Sequence, residues 1–195
     1  MKPTGMKKIV AFSLFVLLCL HTLGQARFGI VGGLLLTKTN SAFNSGFRPG
    51  VYLGIVTDLK LVKSISLMPQ LKYSNKGERN VSGEKGTYNY LELPINFVYK
   101  IPTKAGRLSF GGGPVLAYMM KGSWTTDDIP KEEIYFKYDM VNQLDYGLNA
   151  IAGFEIKGGV FFNISYMLGL RDVWFADNIG TNKNRTLSLG IGFVF

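Results

Sequence analysis

The chain has 195 residues, a length that suits one domain. Its 22 lysines and arginines exceed its 13 acidic residues, but three of those cations (Lys2, Lys7, Lys8) stand in an acid-free N-terminal stretch. The remaining 19 against 13 is mildly basic and holds no basic tract of the kind nucleic acid requires.

The first predicted element is "MKKIVAFSLFVLLCLHTLGQA" at 6–26, which reads as a secretory signal: lysines, a short apolar run, then Gly24 and Ala26 around a cleavage point. The leucines before Cys19 do not fit a lipoprotein signal, which needs small residues there. Cleavage after Ala26 divides the chain into a signal peptide, 1–26, and one domain, 27–195. It also removes Cys19 and His21, the single cysteine and the single histidine. A chain beginning near Arg27 then has no disulfide, no cysteine or histidine metal site, and no histidine-based triad or thiol nucleophile. The sequence accordingly predicts no catalytic residues, no cofactor and no bound metal.

Beyond the signal, no apolar run approaches the ~18 residues of a transmembrane helix, and the longest, at 30–36, is interrupted by glycines. Period-two alternation recurs instead, between clusters of Gly, Asn, Asp, Lys and Pro. It predicts eight strands, near 27–37, 46–57, 64–74, 88–100, 107–120, 139–156, 159–170 and 185–195. In the fourth, Leu91, Leu93, Ile95, Phe97, Tyr99 and Ile101 oppose Tyr90, Glu92, Asn96, Val98 and Lys100. In the sixth, Leu144, Tyr146, Leu148, Ala150 and Ala152 oppose Asp145, Gly147, Asn149, Gly153 and Glu155. The last strand, "TLSLGIGFVF", sets Leu187, Leu189, Ile191, Phe193 and Phe195 against Ser188, Gly190 and Gly192.

A soluble barrel or sandwich with its large residues inward would present a poorly solubilising outer face of Gly, Ser and Asn. A narrow barrel with large residues turned outward into lipid has room inside for small and paired polar groups. The connections agree: the segments near 38–45, 75–87, 121–138 and 171–184 are long, those near 58–63, 101–106 and 157–158 short, as in an outer-membrane barrel with external loops and periplasmic turns. Closure also leaves no unpaired strand edge in lipid. Tyr88, Tyr99, Tyr118, Tyr138, Phe154 and Phe195 fall near predicted strand ends, where interfacial girdles sit. The expected fold is all-β: an eight-stranded antiparallel up-and-down transmembrane barrel in the cell outer membrane.

Several segments together resemble the PorT-like outer-membrane β-barrel family of Bacteroidetes: "FRPGVYLGI" at 47–55, "ISLMPQLKYSNKGE" at 65–78, "YNYLELPINFVYKI" at 88–101, "LSFGGGPVLAYMM" at 108–120, "DYGLNAIAGFEI" at 145–156, "FFNISYMLGLRDV" at 161–173 and the terminal "LSLGIGFVF". Gln70 departs from the pattern, since similar chains carry an acid near this position. The resemblance implies an eight-stranded barrel, and for some members a place in type IX secretion or gliding machinery.

The inward set Arg48, Tyr52, Gln70, Lys72, Glu92, Asn96, Lys100, Asp145, Asn149 and Glu155 carries both signs. It fits a plug of salt bridges and hydrogen bonds filling a narrow lumen, against a selective channel lining or a hydrolytic carboxylate pair. External-loop contact candidates are Lys76, Arg79 and Lys85, able to meet lipopolysaccharide phosphates, and Trp124, Asp127, Asp128, Tyr135 and Trp174, able to meet a protein. Phe193 and Phe195 resemble a terminal signature read by the barrel-insertion machinery. The expected partners are therefore outer-membrane lipid and lipopolysaccharide, the insertion machinery and other envelope or secretion proteins, with no nucleic acid. The function expected is a non-enzymatic interaction or envelope-structural role through the external loops. The alternative is a narrow transport pore or a subunit of a secretion machine.

Overall fold

The computed structural model of the chain describes residues 26–39, 46–79, 85–126, 129–134, 142–173 and 182–195. The predicted signal up to Gln25 lies outside them. Nine strands form in chain order: β1 (Ala26–Thr39), β2 (Arg48–Val62), β3 (Ile65–Arg79), β4 (Lys85–Pro102), β5 (Gly106–Thr126), β6 (Ile129–Ile134), β7 (Leu144–Ile156), β8 (Val160–Asp172) and β9 (Lys183–Val194). Eight of them close an antiparallel barrel, each pairing with its neighbour from β1 to β5, then β5 with β7, β7 with β8, β8 with β9, and β9 back to β1. The expected architecture is the one found.

The ninth strand, β6, continues one edge of the barrel upward. β5 pairs with β7 from Gly106 to Tyr118, and from Gly122 its edge is taken over by β6. Residues 129–134 were expected in a loop; their backbone pairs because β5 outruns β7. The same lengthening affects other boundaries. Asp58 to Val62, expected in a turn, belong to β2, and 75–79 with 85–87, expected in an external loop, extend β3 and β4. The sixth predicted strand began at 139; β7 begins at Leu144, and 139–141 lie outside the described residues.

The first two short connections shrink to 63–64 and 103–105, and the third lengthens by one residue to 157–159. In the last, Gly158 and Gly159 adopt φ of 110° and 95°, a region that side-chain-bearing residues rarely enter. These turns mark the periplasmic end.

Facing follows the period of two. Ile30, Ile55 and Phe97 are exposed on the outer wall, while Val31, Val56, Asn96 and Val98 beside them in sequence are buried inside. Burial here is in the lumen, and the exposed apolar surface is what hydrocarbon covers. Tyr99 and Tyr118 are exposed on the wall as a girdle requires, whereas Tyr88 is wholly buried in the lumen, because it shares the inward parity of Tyr90 and Glu92 on a strand that runs past the expected end.

Candidate functional site

The lumen contains two charged networks. The periplasmic one joins the ends of five strands. Arg27 on β1 forms ion pairs with Asp58 on β2 and with Glu155 on β7, the latter at 2.6 Å. Lys100 on β4 donates to Asp58 Oδ2 at 2.5 Å, and Arg107 on β5 pairs with Glu155. Each carboxylate thus meets two cations, an arrangement that offsets the desolvation of charge within a narrow barrel.

The external network is centred on Glu92 of β4. Lys76 pairs with it directly, Lys72 Nζ stands 3.8 Å away, and Ser74 Oγ donates to it at 2.7 Å. The two ammonium groups also face aromatic rings, Lys72 over Tyr52 at 5.0 Å and Lys76 over Tyr90 at 5.4 Å. Nearby, Tyr88 donates to Glu78 Oε1 at 3.0 Å, Thr39 donates to Glu78 Oε2, and Asn184 Nδ2 donates to Asp145 Oδ2 at 2.7 Å. Arg48 Nη1 reaches the Lys76 carbonyl at 2.7 Å.

Between the networks, Asn149 Nδ2 on β7 donates to Asn96 Oδ1 on β4 at 2.9 Å, passing over Gly113 of the intervening β5. An apolar seam of Val31, Leu35, Tyr52, Val56, Phe161 and Val194 runs along β1, β2, β8 and β9. A small cavity of about 30 Å³, lined by Met68, Gln70, Val98 and Phe161 and reaching Asp58, Lys100 and Glu155 of the periplasmic network, has room for little more than a water or two. At the periplasmic end two hollows open, of about 500 Å³ and about 330 Å³, which share Arg27 and Arg107. The smaller is lined by five cations, Arg27, Lys60, Lys63, Lys100 and Arg107, against the single carboxylate of Asp58.

All ten residues expected to line the lumen lie on inward-facing positions, and Gln70, Glu92, Asn96, Asp145, Asn149 and Glu155 are buried there. One assignment is corrected. Lys76, expected as an external-loop contact, is an inward residue of β3 with 1% of its surface exposed, because the polar run "SNKGE" continues the strand instead of leaving it. Arg79 and Lys85 are exposed cross-strand partners at the external ends of β3 and β4. Trp124 lies on the backbone of β5, and Asp127, Asp128, Tyr135 and Trp174 lie outside the described residues. Phe193 and Phe195 make an edge-on ring contact at 5.3 Å, and the Phe195 N–H donates to the Phe28 carbonyl at 2.8 Å.

Arg27, Asp58, Ser74, Glu78, Arg107 and Asn184 are network members that the sequence does not single out, and Lys76 joins them from its expected place in a loop. The missing signal was parity: counting in twos from Tyr52 reaches Asp58, and from Gln70 reaches Ser74, Lys76 and Glu78, once the strands are carried to their full length.

Among solved structures the chain resembles Neisserial surface protein A, at 14% identity and a TM-score of 0.52, with 86% of this chain and 97% of that one covered. It resembles the outer membrane enzyme PagL at 12% identity and a TM-score of 0.50, covering 86% and 98%, and Ail, the attachment invasion locus protein of Yersinia pestis, at 14% and 0.48, covering 87% and 99%. The first two share the fold and, at such identities, nothing finer. Comparison with curated proteins gives no match. A family model described as an outer membrane protein β-barrel domain matches residues 23–174, most of the chain and seven of the eight barrel strands. Closed strand order, outward apolar wall and this match agree: the chain belongs to the outer membrane protein β-barrel family and resides in the cell outer membrane.

Proposed function

We propose that the protein is a non-enzymatic outer-membrane barrel that acts as an interaction or envelope-structural component through its external loops, and that within its family it stands with the PorT-like barrels. The observation that carries the reading is the lumen. Its carboxylates Asp58, Glu92 and Glu155 are each engaged by cations from neighbouring strands, and the small cavity is no larger than about 30 Å³. A bore this narrow, with these carboxylates paired to cations, offers a solute little space, so function falls to the two rims. The PorT-like placement is supported by the ordered segments from "FRPGVYLGI" to "LSLGIGFVF". PagL, an enzyme, has the same fold; for this chain the absence of catalysis is supported by its single histidine lying in the predicted signal, at His21.

A second reading, a subunit of a secretion machine, is favoured by the periplasmic hollow with its five cations, a surface suited to an acidic periplasmic partner. One pair of measurements on the purified protein separates these. In planar bilayers the first reading expects no steady conductance, and reproducible open-pore currents would replace it with the transport alternative. Affinity purification under mild detergent that retains a stoichiometric periplasmic protein, lost at high salt, would replace it with the machine.

A further inference from the structure

Two cations stand side by side on the outside of the barrel. Lys38 on β1 and Arg185 on β9 are direct cross-strand partners, and their positions share the outward parity of Leu34, Leu36, Leu187 and Leu189. Like charges directly opposite one another destabilise a sheet, and among the described residues neither forms an ion pair with an acid. Lys183, two positions from Arg185, adds a third charge; the carboxylate opposite it, Asp172, accepts from the Asn182 N–H at 2.7 Å.

Both principal cations are held in place. The Lys38 ammonium lies over the Phe47 ring, 4.9 Å from its centroid. Arg185 Nη1 donates to the Gly169 carbonyl at 2.9 Å and to its neighbour Asn184's carbonyl at 3.4 Å, and among the described residues Nη2 and Nε have no acceptor. Their height is also set. The outward apolar residues of β1 run from Phe28 to Leu36, and eight residues at ~3.3 Å each, tilted by about 40°, rise ~20 Å. Lys38 is the next outward position, at the external border of an apolar band that is about 25 Å tall in such barrels.

We propose that Lys38 and Arg185 form a binding site on the outer wall for the phosphate of an outer-leaflet lipid, whose acyl chains lie along Leu34, Leu36 and Leu189. A phosphate set between the ammonium and these guanidinium donors removes the like-charge repulsion and accepts charge-assisted hydrogen bonds from both. The site is separate from the external loops and does not depend on what they bind. Its position on the lipid face, rather than at either mouth, selects a lipid over a soluble anion. The phosphate has two possible carriers, a phosphorylated glycolipid and an anionic glycerophospholipid.

The test is native mass spectrometry of the protein in detergent with added lipid: a bisphosphorylated acylated glucosamine disaccharide, its dephosphorylated form, or phosphatidylglycerol. Wild type should retain a phosphate-bearing lipid and not the dephosphorylated one, and the better retained of the other two identifies the carrier. The double variant Lys38→Ala/Arg185→Ala should lose about tenfold or more in affinity, the scale of one or two charge-assisted hydrogen bonds. Arg79→Ala/Lys85→Ala, a more exposed cation pair at the external ends of β3 and β4, should change retention little. Equal loss in both variants, or equal retention of the dephosphorylated lipid, overturns the proposal. Should the double variant fail to fold, wild type still decides the matter: retention that does not fall with rising salt overturns it.

Discussion

Leu148 and Asn149 are neighbours in β7 that meet opposite solvents. Leu148 is exposed on the wall, while Asn149 is buried and donates to Asn96 inside the lumen. Leu148→Arg places a charge in hydrocarbon near mid-barrel and should cost about 2–4 kcal/mol. Asn149→Ser shortens the donor and forfeits one hydrogen bond, about 0.5–1.5 kcal/mol. Urea unfolding of protein refolded into lipid vesicles measures both, and the reverse order would turn the barrel inside out. This contrast was legible in the sequence because a strand alternates strictly and a lipid-facing strand tolerates no polar side chain at its centre. What alternation does not reveal is partner choice. That Arg27 pairs with both Asp58 and Glu155 depends on which strands become neighbours on closure, and Arg27 and Glu155 are 128 positions apart.

At the level of one element, the last strand explains its own composition. Its outward residues Leu189, Ile191 and Phe193 face lipid, and its inward positions are small because large side chains from other strands cross the lumen there. A Cβ on Gly190 would fall on the Tyr52 hydroxyl, and one on Gly192 would meet the Phe161 ring and the Ile30 carbonyl. Gly192→Ala therefore overpacks a rigid spot and should cost about 1–3 kcal/mol in the same unfolding assay; a neutral result would mean that β1 and β9 yield at their seam. The sequence showed that these positions are small and inward, and the reason lay in Tyr52 and Phe161, far off in the chain. Strand ends were the least legible feature. Polar stretches such as "NKGE" and "KGT" read as loop, yet inside a barrel wall that rises above the membrane a polar strand has water on its outer face and loses nothing by pairing.

Taken as a whole, the barrel is closed at two levels by two independent sets of charges. Glu92 and Lys100 mark them on β4, eight residues apart, or ~26 Å along the strand. No ion pair or hydrogen bond among the described residues links one set to the other, and the Asn96–Asn149 bond and the apolar seam lie between. Glu92→Gln leaves Lys72 and Lys76 buried without their carboxylate and should cost about 3–5 kcal/mol. Glu155→Gln leaves Arg107 without its carboxylate and Arg27 with Asp58 alone, both partly solvated at the mouth, and should cost about 1.5–3 kcal/mol, the worth of a hydrogen bond to a charged group. Because the sites share no partner and lie far apart, the double variant should show the sum to within about 0.5 kcal/mol. A coupling above about 1 kcal/mol would mean that the lumen is one continuous network. Loosening either mouth would then open the whole bore, and the transport reading would gain the path that two separate closures deny it.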